Sequence, residues 1–260
     1  MRHVRFQNGG DPREGVLDGD TIRPAGDGAP VALADVRLLA PVVPGKVIAV
    51  GQNYMDHIRE QGAKPPGIPV LFPKFATCVI GPGDEIRWPA TLTTRVDYEG
   101  ELAVVIGTRA SRVPVEEALG VVRGYTVAND VSARDLQIGD GQWLRGKALD
   151  TFLPLGPAIV TADEVGDPQD LPIRTRVNGE TLQNSSTGEM VFTVAELIAF
   201  ITEGITLEPG DVVLTGTPHG VGNFRDPQVF LSPGDVVEVE VGDLGVLSNV
   251  VGPHTDDEEE

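Results

Sequence analysis

The stretch "VDYEGELAVVIG" (residues 96–107) decides how this 260-residue chain is read. Its second half, from Leu102 to Ile106, is an unbroken apolar run of the kind found in strands buried on both faces. Its first half carries Asp97, Glu99 and Glu101 at a spacing of two. Successive strand residues alternate faces, so this spacing aims all three carboxylates one way. Like charges side by side repel, and burying them unpaired is costly. Three arrangements resolve that conflict: the face looks to solvent, the acids share protons, or they surround a cation. Solvent is the ordinary outcome for acids in an E-x-E pattern. The apolar run that follows at once shifts the balance toward a partly buried site, where a cation is the simplest remedy.

An all-carboxylate site favours hard cations such as Mg²⁺, Mn²⁺ or Ca²⁺. Two glutamates seldom suffice, so a third acid is sought at another strand end. "GYTVANDVSARD" (124–135) supplies Asp130, where an apolar strand stops at Asn-Asp. Taken alone, that pair is a strand-ending turn. None of the four histidines has metal-ligand spacing to another, which argues against zinc.

Upstream, "GQNYMDHIREQG" (51–62) reads as a short helix, capped by Asn53, with Asp56 at the capping-box position and Gly62 ending it. His57 and Glu60 lie three apart and share a face. A carboxylate on one imidazole nitrogen fixes the tautomer and leaves the other nitrogen free as a base. The plain alternative is a surface ion pair. The Pro-rich "AKPPGIP" (63–69) that follows is expected to be an exposed, adjustable loop, so helix and loop together have the make-up of a lid.

Downstream, "WLRGKALDTFLPLGP" (143–157) holds Lys147, one of only four lysines among 20 basic residues. It is either a point charge kept for an anionic substrate oxygen or a surface lysine. "LTGTPHGVG" (214–222) follows an apolar strand; its backbone N–H groups and the Thr217 hydroxyl suit a carboxylate, or it is a plain Gly-rich turn. It lacks the G-K-[ST] ending of a phosphate-binding loop.

The rest of the chain is short strands and turns, in keeping with 32 Gly and 21 Pro. Asn178-Gly179 marks a hairpin, and "TVAELIAFITEG" (193–204) a helix. The fold class is therefore α+β and strand-rich. The divisions drawn are a small N-terminal β-rich cap over 1–42, a main body over 43–253 and an acidic disordered tail over 254–260. A net charge of −19 argues against nucleic acid as a partner. Cys78 is the sole cysteine and fits a reducing cytoplasm, where it reads as a small buried side chain. There is no signal-like start and no run of membrane-spanning length, so a soluble, cytoplasmic protein is expected.

In order and wording, "GQNYMDHIRE", "DYEGELAVVIG", "YTVANDVSARDLQ", "GKALDTFLPLGP", "VNGETLQNSSTGEMVF" and "VVLTGTPHGVG" resemble the successive motifs of the fumarylacetoacetate hydrolase family, over about residues 45 to 252. The resemblance implies a mixed β-roll catalytic domain of the fumarylacetoacetase C-terminal type, usually a homodimer. It implies one divalent metal, Mg²⁺ or Mn²⁺, on Glu99, Glu101 and Asp130. It makes His57 and Glu60 the dyad that activates water. Lys147 and Gln137 would then touch substrate oxygens, Thr217 the substrate's carboxylate end, and Arg134 would support them. The reaction this implies is metal-dependent C–C hydrolysis of a 2,4-diketo acid such as an acylpyruvate. The same metal–enolate chemistry also serves oxaloacetate-type decarboxylation and isomerisation of 2-hydroxyhepta-2,4-diene-1,7-dioate. A different outcome is a metal-stabilised binding protein without catalysis.

Overall fold

The computed structural model describes residues 1–256. The strand Gly100–Ile106 is buried along its whole length and lies inside the largest sheet. Val122–Asn129 pairs antiparallel with one edge, and Val212–Leu214 with the other. Beyond these, Leu153–Thr161 extends the sheet on one side, while Val47–Gly51 and Val70–Lys74 extend it on the other. Only the pairing of Val212–Leu214 with Val47–Gly51 is parallel along this path, which makes the sheet mixed.

A second sheet of five strands packs across this one. Its order runs from Glu180–Ser186 through Pro172–Val177, Val236–Val241 and Val246–Val251 to Glu85–Ile86. Alternation of buried and open positions along Val236–Val241 shows one face turned inward. The two sheets meet closely at Gly100, where a Cβ would lie 2.3 Å from Thr175 Oγ1 and 2.9 Å from a Val239 methyl. A side chain at position 100 would therefore push the sheets apart beside the acidic pair. The Asn178-Gly179 hairpin forms as expected, with both residues at positive φ.

The N-terminal strands do not stand apart from the body. Arg2–Gln7 pairs antiparallel with Leu153–Thr161, so the segment expected as a cap over 1–42 continues the main sheet. It keeps a small core of its own, Val4, Phe6 and Ile22, closed by Ala158.

The chain end and the start of the short helix carry contacts of their own. Residues 254–256 of the tail are ordered against the body: Asp256 accepts N–H groups from Ala90 (2.8 Å) and Thr91 (3.0 Å), and His254 packs edge-on to Trp88. Those backbone donors hold its carboxyl down at about 2. The remainder of the tail, 257–260, lies outside the described residues. Asn53 does not cap the short helix Met55–Glu60, whose N-cap is Tyr54. Its amide instead ties Phe192 and Thr215 to the helix start. No helix among the described residues is long and apolar enough to cross a membrane.

Candidate active site

Glu99, Glu101 and Asp130 converge: one carboxylate oxygen from each lies within 4.8 Å of the others, and all three residues are buried. The Asn-Asp step ending Val122–Asn129 sets this up. Asn129 Oδ1 accepts the Glu99 N–H at 2.9 Å, and the Asp130 N–H donates to the Glu99 carbonyl at 2.8 Å. The turn is thus spliced to the strand bearing the glutamates.

Asp97 does not join them. Strand pairing breaks at Tyr98 and Glu99, between Val96–Asp97 and Gly100–Ile106, so the period-two argument fails at its first residue. Asp97 instead accepts four N–H groups: those of Tyr98 (2.9 Å), Gly222 (2.8 Å) and Asn223 (2.9 Å), and Nε of Arg134 (2.8 Å).

Three cations enclose the cluster. Lys147, only 2% exposed, reaches Glu99 (2.6 Å) and Asp130 (2.9 Å), which settles that it is no surface lysine. Arg134 pairs with Glu99 at 2.6 Å and donates to Gln137 Oε1 at 3.0 Å, leaving Nη2 buried without a hydrogen-bond partner. Lys74, which sequence reasoning passed over, meets Asp130 at 2.6 Å and also donates to the Lys147 carbonyl. The scarcity of lysines that drew notice to Lys147 applied equally to Lys74, at the end of an apolar strand.

These neighbours separate the glutamates electrostatically. Burial works to raise the Glu99 carboxyl, but Lys147 and Arg134 outweigh it and hold the group at about 2. Glu101 has the opposite fate: burial, then Asp130 and Glu99, push it well above the ordinary carboxylate range. The Gly216 N–H at 2.8 Å is its hydrogen bond, and among the described residues no basic side chain forms an ion pair with it. A carboxylate set with one member short of positive charge, all hard oxygens and within reach of one another, fits a divalent cation.

His57 and Glu60 are brought together on Met55–Glu60, Nδ1 lying 2.8 Å from Glu60 Oε2. The other Glu60 oxygen accepts the Gly220 N–H at 2.9 Å. Asp56, next to this pair, fastens the helix to that same loop, meeting His219 Nδ1 at 2.8 Å, and to the strand Glu180–Ser186, accepting from Ser185 at 2.5 Å. Burial pushes the Asp56 carboxyl up, but these bonds bring it below its usual value.

His57 and, of the three clustered acids, Glu99 line one cavity of about 200 Å³. Glu99, Arg134, Gln137, Lys147 and Thr217 make its polar end, and Val50, Phe72, Ile138, Trp143 and Phe224 its apolar wall. Gly51 is a glycine of necessity, since a Cβ there would meet the Trp143 ring at 2.2 Å. Thr217 lines the cavity, but its hydroxyl donates to the Gly100 carbonyl at 2.9 Å and accepts from Gln183 at 2.8 Å.

An imidazole hydrogen-bonded to a carboxylate, sharing a small cavity with buried Glu99, Arg134 and Lys147, is an arrangement able to serve acid–base chemistry. Comparison with known proteins makes the class specific. Residues 46–252 match the family model described as fumarylacetoacetate (FAA) hydrolase C-terminal, and residues 1–41 match one described as Rv2993c-like, N-terminal. The chain belongs to the fumarylacetoacetate hydrolase family. It is 52% identical over 221 residues to the mitochondrial oxaloacetate tautomerase FAHD2A of Bos taurus, spanning 84% of this chain and 70% of that protein. Among solved structures, it resembles a 2-hydroxyhepta-2,4-diene-1,7-dioate isomerase from Mycobacterium marinum (39% identity, TM-score 0.87, 98% of this chain and 99% of that one). It also resembles a fumarylacetoacetate hydrolase from Exiguobacterium antarcticum (42%, TM-score 0.87, 97% and 99%).

Proposed function

We propose that the protein is a keto–enol tautomerase acting on a short 2-oxo acid of the oxaloacetate type, with Glu99, Glu101 and Asp130 holding Mg²⁺ or Mn²⁺. This favours the isomerase side of the family's chemistry over the C–C hydrolysis expected first. The observation that carries it is His57, hydrogen-bonded to Glu60, lining the same small cavity as Glu99 and Lys147. Pockets for drug-sized ligands start at about 300 Å³, so this one suits a compact metabolite. Moving a proton on and off carbon needs the base alone, without room for an attacking water. The similarity to an oxaloacetate tautomerase supports the same choice.

When bound, the divalent ion would supply Lewis-acid polarisation of the substrate's 2-oxo group. The chain's own residues would do the rest. Lys147, with Gln137 beside it, orients the 2-oxo acid end and stabilises negative charge there. In the keto-to-enol direction His57 Nε2 removes a proton from C3, and the imidazolium then gives that same proton to the 2-oxygen, which leaves His57 neutral; the reverse direction moves the proton back by the same route. Glu60 keeps the proton on Nδ1 and stabilises the imidazolium that forms.

A second reading, hydrolysis of acylpyruvates, draws on the apolar wall of the cavity, which would suit an uncharged acyl group. The test is to present enol oxaloacetate, keto oxaloacetate and acetylpyruvate to protein with Mn²⁺, with and without EDTA. Ketonisation is followed by loss of enol absorbance, decarboxylation by pyruvate formed, and cleavage by loss of the diketone. We expect ketonisation to be fastest, to need the metal, and to be lost in His57→Asn. Faster cleavage of acetylpyruvate, or turnover indifferent to EDTA, would overturn the proposal.

A further inference from the structure

The base is not open in this structure. His57 Nδ1–H is committed to Glu60, so Nε2 carries the lone pair, and the Gln61 amide donates to it at 2.6 Å. The Gln61 oxygen in turn accepts from Gln52 Nε2 at 3.2 Å. Gln52 sits at φ 54, in the left-handed region that residues with a Cβ seldom occupy. Such a conformation is held where the surroundings enforce it, typically at ligand sites. Gln52 and Gln61 both line the cavity. For His57 to take a proton from carbon, Gln61 must give up Nε2, and its amide then needs another acceptor.

We infer that Gln52 and Gln61 form the subsite for the distal carboxylate of a dicarboxylic 2-oxo acid. The inference rests on the tautomerase reading and deepens it. In such a substrate the carbon that loses the proton, C3, is bonded to the distal carboxylate. A group that touches the base is therefore placed, by connectivity alone, beside that carboxylate. Two primary amides offer it N–H donors while leaving the base uncharged.

The cationic candidates are engaged elsewhere. Arg134 and Lys147 pair with Asp97, Glu99 and Asp130 at the opposite end. Gln137 Oε1 accepts from Arg134, which holds that side chain at the 2-oxo end, and Asn223 Oδ1 accepts from Arg95. Beside the base itself the wall is the Phe224 ring, edge-on to His57 at 5.7 Å. The exchange is self-consistent: an entering diacid draws the amides away and so exposes the lone pair only when the substrate is present.

The experiment compares wild type with Gln52→Leu and Gln52→Met, both of which keep a Cβ and so leave the backbone cost unchanged. KM is measured for enol oxaloacetate, and Ki for 2-oxobutanoate, a monoacid of the same chain length lacking the distal carboxylate. Loss of a hydrogen bond to a charged group predicts a rise of about tenfold or more in the KM for oxaloacetate. The Ki of 2-oxobutanoate should move by less than about twofold, within what a remote substitution does. Parallel weakening of both ligands, or no change in either, would overturn the inference while leaving an active wild type and the tautomerase reading intact. A wild type that does not ketonise oxaloacetate would overturn the reading, and the inference with it.

Discussion

Replacing Asp97 with Asn tests whether the acids of the opening stretch divide as the structure divides them. Asp97 is fully buried, and its charge is matched by the buried Arg134 guanidinium at 2.8 Å. Removing one partner of a buried pair costs about 3–5 kcal/mol, because the other charge stays behind. An Asn oxygen can still accept the Tyr98 and Gly222 N–H groups, so the lower figure, about 3 kcal/mol, applies to this substitution. At a urea slope of about 3 kcal/mol per molar, the unfolding midpoint should fall by about 1 M. Metal binding should behave otherwise. Asp97 reaches the cluster only through Arg134, so Mn²⁺ affinity measured by calorimetry should fall no further than about tenfold, the mild end for outer partners. Glu101→Gln, which removes a carboxylate of the cluster itself, should lose far more affinity. The reasoning fails if Asp97→Asn unfolds within about 0.5 kcal/mol of wild type, the range of an ordinary surface change. It fails equally if the two variants lose Mn²⁺ alike.

Three further outcomes follow from the same geometry. Lys74→Met strips a wholly buried cation from Asp130 and should destabilise by about 3 kcal/mol; Mn²⁺ should restore more thermal stability to it than to wild type, and equal shifts would count against the pairing. Asp56, whose carboxyl is depressed in the fold, contributes stability that is present above its unfolded value of about 4 and is lost as the pH falls through the folded value. The stability gap between wild type and Asp56→Asn should thus be seen at neutral pH and close on acidification, with a gap constant in pH refuting it. Burial pushes the Cys78 thiol up to about 11, so the native protein should resist a disulfide reagent at pH 8 and react fully in denaturant.

The sequence made the fold readable wherever one segment carried its own signal. The apolar run 102–106 is the buried central strand, Asn178-Gly179 turns its hairpin, and Gly62 at φ 63 ends the helix that bears His57. What stayed hidden needed a partner distant along the chain. Asn53 looks like a helix cap, yet its amide is taken by Phe192 and Thr215, more than 130 residues away. Asp97 looks like a third member of the acidic face because period-two reasoning assumes an unbroken strand, and the break at Tyr98 is fixed by pairing with Ser132 and Ala133. Gln61 stands one residue past the end of the His57 helix, and nothing local says that its amide turns back onto the base.

Charge balance ties these pieces together. Asp97, Glu99, Glu101 and Asp130 bring four carboxylates into the interior, and Lys74, Lys147 and Arg134 bring three cations. The shortfall is not shared evenly. Lys147 and Arg134 hold Glu99 ionised, Lys74 and Lys147 answer Asp130, and Glu101 is left to be pushed upward. A single added charge would neutralise the cluster, whereas a divalent ion overshoots and leaves it positive by one. On the proposed function, that surplus is what would draw a dianionic keto acid to a chain whose net charge is −19. Were Lys74 or Arg134 absent, the ion would only cancel the acids and no attraction for an anion would remain. The buried lysine and arginine therefore do more than hold the carboxylates in place. With a divalent ion bound, they would set the sign of the site.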